Sequence, residues 1–234
     1  MSARRIPGKQ MASGIVLVAW STFFVYLWVS GEAVRFIGPR TSWVVPFGAV
    51  ALGATSILYL SSALRSRSEP VTAREALAHF VTVLPIVAVL VVPAPSLGAL
   101  AASKKTASIS LAGGGTLAPP GGSSGPLSFI DVHYAAISDH YAQSAGIAEG
   151  TPLRLTGFVT HDPDDAAGFR LTRFYISCCA ADAIPYSVHV ATDRAFENDR
   201  WLEIEGVLTE TADGFSLVPE RLDEVAPPES PYLS

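Results

Sequence analysis

Charge is scarce in this sequence and cysteine scarcer still: Asp, Glu, Lys and Arg make up only 16% of the residues against 49% hydrophobic, and both cysteines sit together at Cys178 and Cys179. So little charge on so apolar a chain points to a protein partly embedded in a membrane. With one adjacent pair, the C-x2-C spacing of structural zinc sites is absent. Also missing are Gly-x-Ser-x-Gly, His-Glu-x-x-His and a phosphate-binding loop, which makes a poor case for a hydrolase or nucleotide enzyme. The GGG at residues 113–115 follows no strand and precedes no Lys-Ser/Thr. The acidic HDPDD at residues 161–165 lacks the glycine and glutamate of a calcium loop, and reads as a solvated turn. A non-enzymatic role is therefore expected.

What charge there is divides unevenly. Residues 1–126 hold ten Lys/Arg against three acids, a net +7, whereas residues 127–234 hold six Arg against eighteen acids, a net −12; together these give the chain's −5. The two halves are built for different surroundings.

Residues 12–30 (ASGIVLVAWSTFFVYLWVS) and 43–62 (WVVPFGAVALGATSILYLSS) carry no charge, and each is long enough to cross a hydrocarbon core of about 30 Å as a helix. A signal peptide is the rival for the first, but no small-x-small cleavage site follows it. A third helix is expected over residues 76–95, kinked at Pro85, in preference to a re-entrant hairpin. Residues 1–102 thus form an anchor of two to three transmembrane helices. Arg4, Arg5 and Lys9 before the first span and Arg65, Arg67 and Arg74 after the second place those segments in the cytoplasm. Three spans then put the C-terminal half outside, at the cell membrane, with Lys104 and Lys105 the mild dissent. His79, near a helix end, reads as interfacial.

Residues 103–126 (SKKTASISLAGGGTLAPPGGSSGP), rich in Gly, Ser and Pro and without hydrophobic period, read as a flexible linker. Beyond it the pattern changes. Residues 129–146 are an amphipathic approach, helical in the middle and closed by Gly146. Short alternating runs follow at 151–160, 169–177, 186–191, 201–209 and 215–218, with a last strand or extension at 221–225. Five strands in about a hundred residues, with Gly157 and Gly206 where a barrel wall must bend, predict a soluble all-β OB-like barrel over residues 127–234, an immunoglobulin-like sandwich being the rival. The fold class is α + β: transmembrane helices, then a barrel. Many OB barrels bind nucleic acid through a basic groove, which a domain at −12 lacks, so no nucleic-acid partner is expected.

Chemistry concentrates at FYISCCAADAIP, residues 174–185, where an apolar run delivers two thiols to a turn. Three readings stay open. Cys178 and Cys179 with Asp182, joined by one or more of His133, His140, His161 or His189, form an S/N/O set that suits zinc. Alternatively they are a redox pair, able to close a strained and therefore labile vicinal bond in a membrane-tethered thiol oxidoreductase. Or both are small buried hydrophobes in a docking module. His133 and His140, seven apart, fall near one face of a single helix. Arg173, in mid-strand, is placed to pair with a carboxylate or stabilise a thiolate.

LTGFV at 155–159, HDPDD at 161–165, FRLTRFYISCCAADAIPYSVHV at 169–190, WLEIEGVL at 201–208 and PPESPYL at 227–233 together resemble the YcgQ-like family of two-domain, membrane-associated permease subunits. The most specific matches are Arg173-Phe174, Cys178 to Asp182, Trp201 with Gly206, and Pro231-Tyr232. The resemblance implies a partner, a separate polytopic permease, a link to zinc supply, and functional positions at Cys178, Cys179 and Asp182. One departure stands out: the loop at 61–75 has none of the His and Asp that many relatives carry there.

Overall fold

A computed structural model describes residues 8–65, 71–91, 97–111, 126–162, 167–212 and 214–233. The chain divides into two compact units, residues 1–95 and 96–234.

The first unit consists of α1 (Lys9–Val29), α2 (Val44–Arg65) and α3 (Ala73–Val91), with two single-turn 3₁₀ helices between α1 and α2. Three helices are long and apolar enough to cross a membrane. They match the expected spans to within a few residues, and α3 runs unbroken through Pro85. Residues 92–95, the end of the third expected span, lie outside the described residues, as do Arg67 and its neighbours at 66–70. Small polar side chains tie the helices together, which in lipid replaces the hydrophobic drive. Ser21 Oγ donates to the Ala49 carbonyl at 2.8 Å, linking α1 to α2. Lys9 meets Glu75 at 2.6 Å and Ser13 meets His79 at 3.2 Å. Both pairs span 66 residues, so α1 and α3 run parallel. Large apolar side chains such as Phe47, Val50 and Leu84 point outward.

The second unit contains α4 (Ala99–Leu111), α5 (Phe129–Ile137), α6 (Asp139–Ala145) and strands β1 (Pro152–Thr160), β2 (Phe169–Tyr175), β3 (Ile184–Val190), β4 (Trp201–Thr211), β5 (Gly214–Glu224) and β6 (Tyr232–Leu233). β1 pairs β2, β2 pairs β3, β3 runs parallel to β5, and β5 returns through β4 to β1. The sheet closes on itself as a five-stranded OB-like barrel, β3 and β5 joining at His189–Ser216 and Val190–Leu217. The segment at 221–225 continues β5 and adds no further strand. Along the strands, alternate residues Leu153, Leu155, Val159, Leu171, Val188, Val190, Leu202, Ile204, Leu208 and Leu217 fill the interior, and Phe129, Ile130 and Val132 of α5 close one end. At Gly206 the β4–β5 register slips by a bulge, and a Cβ there would collide with the Val218 carbonyl.

β1 pairs only with residues 170–172 of β2, so the β2 edge at Phe174 and Tyr175 is open and β6 fills it, in parallel. On the opposite face of the wall from the barrel interior, Phe158, Phe174 and Trp201 form a second small core with Ile176, Ala183, Tyr232 and Ala102 of α4. Their rings lie 5.7 to 5.8 Å apart.

Three expectations need correction. The linker does not begin at residue 103, nor the anchor end at 102: α4 occupies Ala99–Leu111 and belongs to the barrel's unit. Its alanines pack on the second core, the distant Asp199 carboxylate holds its start and Lys105 in mid-helix reaches the Ala181 carbonyl, signals that composition does not carry. The Gly/Ser/Pro stretch at 112–125 lies outside the described residues, as do residues 163–165 of HDPDD. Nor is the segment at 129–146 one helix. Ser138 adopts extended geometry (φ −150, ψ 107), ending α5 and capping α6 through the Tyr141 N–H, so His133 and His140 do not share a helical face.

A candidate metal site in the β2–β3 turn

β2 ends at Tyr175 and β3 starts at Ile184, leaving eight residues to turn the chain. The turn is organised by one carboxylate. Asp182 closes a single 3₁₀ turn, Ala180–Asp182, and its side chain reaches back to accept the backbone N–H groups of Cys178 (2.8 Å), Ser177 (3.3 Å) and Cys179 (3.3 Å). Three N–H donors around one carboxylate gather the segment into a concave loop that faces solvent. Cys178 is exposed, and Cys179 and Asp182 are half-buried, so neither thiol is a core residue.

The sulfurs stand 3.7 Å apart. Together with an Asp182 oxygen they form a set of ligand atoms all within 4.8 Å of one another, the one such group of three His, Cys, Asp or Glu among the described residues. The donors fit a zinc-type ion. Two Zn–S bonds of about 2.3 Å at the tetrahedral angle separate their sulfurs by about 3.8 Å, close to the spacing seen.

Electrostatics keep the Cys178 thiol protonated until something displaces the proton. The Cys178 thiol donates to Asp182, and this, with Cys179 beside it, pushes its pKa up to about 11. Partial burial opposes charge on Asp182, but the Cys178 thiol and the N–H groups of Cys178, Cys179 and Ser177 outweigh it and hold the carboxyl below its usual range. A thiol raised in this way is a poor nucleophile. A divalent cation competing for both sulfurs would instead meet an ionised carboxylate already in place.

The remaining sequence candidates lie elsewhere. His133 stands edge-on to Tyr134 and Tyr186 at ring separations of 5.5 and 5.2 Å, and desolvation pushes its pKa down. His140 is exposed on α6. Neither belongs to the Cys178–Cys179–Asp182 group, which corrects the expected ligand set. His161 bonds the Phe196 carbonyl, and His189 bonds Ser216 and Ala167. Among the described residues Arg173 has no carboxylate or sulfur partner: its guanidinium donates to the carbonyls of Ser230 (2.7 Å), Pro231 (3.4 Å) and Thr156 (3.4 Å). It ties the C-terminal segment down, so that β6 can reach β2. Trp201 and Tyr232 are buried in the second core beneath the turn. Arg173, Trp201 and Tyr232 thus support the turn.

Sequence reasoning passed over Lys105, whose Nζ donates to the Ala181 carbonyl inside the turn at 2.9 Å. Its only signal was a basic pair in a Ser/Ala stretch.

A family model described as the DUF1980 C-terminal domain matches residues 117–233, half of the 234-residue chain. No curated protein matches.

Proposed function

Because this chain belongs to the DUF1980 C-terminal domain family, a family of membrane-associated proteins, we propose that it is a membrane-anchored accessory subunit whose barrel holds a transition metal, zinc by its donor set, between Cys178, Cys179 and Asp182. The observation that carries this reading is the convergence of the three donors, with sulfurs at 3.7 Å. Two thiolates and a carboxylate bind zinc well. Three protein donors leave a fourth position open, which suits a site that hands its ion on. The resemblance to YcgQ-like permease subunits supplies the rest of the proposal: a separate polytopic permease as partner, and an extracytoplasmic barrel, in line with the basic residues flanking the first two spans.

The test is metal stoichiometry of the full-length protein in detergent. One zinc per chain is expected, lost in Cys178→Ser/Cys179→Ser. Wild-type protein without zinc, or equal retention by the double variant, ends the metal reading. The thiol oxidoreductase alternative needs a lowered thiol pKa, and the Cys178 pKa is raised.

A further inference from the structure

α4 follows the third apolar helix after seven intervening residues, 92–98, and it is fastened to the barrel at two points. At its start the Ala99 N–H donates to the Asp199 carboxylate at 2.5 Å. Asp199 lies just before β4 in a left-handed conformation, φ 67. Further along, Lys105 Nζ donates to the Ala181 carbonyl. Ala181 is the middle residue of the 3₁₀ turn that Cys179 caps and Asp182 closes. The helix therefore grips the backbone between two of the three donors.

Over residues 99–105, the part of α4 whose side chains are described, apolar packing is slight. The helix buries alanines, Ala99 and Ala102, while its one large side chain near them, Leu100, is 71% exposed. A few methyl groups bury little area, so the polar contacts at Asp199 and Lys105 weigh heavily in whether the helix stays down. An ordered turn also binds better than one that must first be ordered, because the entropic cost of fixing residues 177–182 has then already been met.

Resting on the metal reading above, we propose that Lys105 is a positioning residue of the Cys178–Cys179–Asp182 site and that α4 is coupled to its occupancy. A docked α4 holds the turn in its ligating shape. By thermodynamic reciprocity a filled turn holds α4 down by the same factor, so the state of the site is felt in the chain segment that follows α3.

The experiment uses full-length protein in detergent micelles and zinc as the probe. Affinity is read by competition with a chromophoric chelator, and α4 docking by amide hydrogen exchange with and without zinc. Lys105→Met weakens zinc binding about tenfold, the lower end for groups that orient ligands, and Lys105→Arg, which keeps a donor, restores most of it. Zinc slows exchange in α4 of the wild type by a comparable factor, and does so in neither Lys105→Met nor Cys178→Ser/Cys179→Ser. If wild-type protein binds zinc but Lys105→Met binds it equally and α4 exchange ignores the metal, the coupling is overturned while the metal site stands. If the wild type binds no zinc, both fall. Should Lys105→Met fail to fold, exchange of the wild type with and without zinc decides alone.

Discussion

The helical unit and the barrel unit solve the same problem with opposite surfaces. In both, backbone N–H and C=O groups are paired internally, within each helix in one and around a closed ring in the other. The side chains then part ways. α1 to α3 carry Phe47, Val50 and Leu84 on the outside and keep Ser13, Ser21 and His79 for contacts between helices. The barrel hides Leu171, Leu202 and Ile204 completely and leaves Glu210, Glu220 and Glu224 exposed. A phenylalanine or a serine thus carries a different energetic weight in each unit, because one expects lipid beyond its surface and the other water.

That contrast is open to direct attack. Phe174→Ala removes a side chain with no exposed surface from the core beneath the turn, and is expected to cost about 3–5 kcal/mol. Phe47→Ala, at a residue 63% exposed, is expected to cost less than about 0.5 kcal/mol, the usual range for surface sites. Denaturant unfolding of the two variants in detergent, followed in each unit separately, checks the pair; equal losses would break the comparison.

Polar contacts sharpen it at a smaller scale. Arg173→Met strips donors from three carbonyls that fasten the C-terminal segment, at an expected cost of about 1–3 kcal/mol for partly buried acceptors left unpaired. Ser13→Ala removes one interhelical bond to His79 and is expected to cost about 0.6 kcal/mol, the average for such bonds between membrane helices. The same unfolding series reads both.

The turn adds a titration. The Asp182 carboxyl is held below its usual pKa, so its contribution to stability is complete above the unfolded value of about 4 and disappears as pH falls through the folded one. Asp182→Asn removes that dependence from acid unfolding curves. The same substitution releases Cys178, whose pKa is pushed up to about 11 chiefly by Asp182. Alkylation of Cys178 in the metal-free protein near pH 8.5, read by mapping the modified residue, is therefore slow in the wild type and faster in Asp182→Asn, since a thiol of ordinary pKa, about 8.5, is half ionised there. Equal rates would contradict the hydrogen bond that organises the turn.

Much of this architecture was legible in the sequence because the signals were local. Two long runs without charge wrote α1 and α2, and alternation with period two wrote β1 and β4 down to the glycine at the bulge. The turn was legible for the same reason: Cys178, Cys179 and Asp182 lie within five residues, and a sharp bend is all that brings them together. What stayed hidden depends on partners far along the chain. α4 is held by Asp199 and Ala181, a hundred and 76 residues away, and its own Ala/Ser-rich composition has no period to read. Arg173 finds its carbonyls 57 and 58 residues further on. The spacing of His133 and His140 misled because one extended residue, Ser138, interrupts the helix they were expected to share.

The central claim is that two sulfurs and a carboxylate converge on one ion, and X-ray absorption at the zinc edge of the zinc-loaded full-length protein tests it most directly. The account predicts two sulfur neighbours at about 2.3 Å with lighter oxygen or nitrogen neighbours at about 2.0–2.2 Å, both sulfurs vanishing in Cys178→Ser/Cys179→Ser. A shell of oxygen and nitrogen alone, unchanged in that variant, would contradict it.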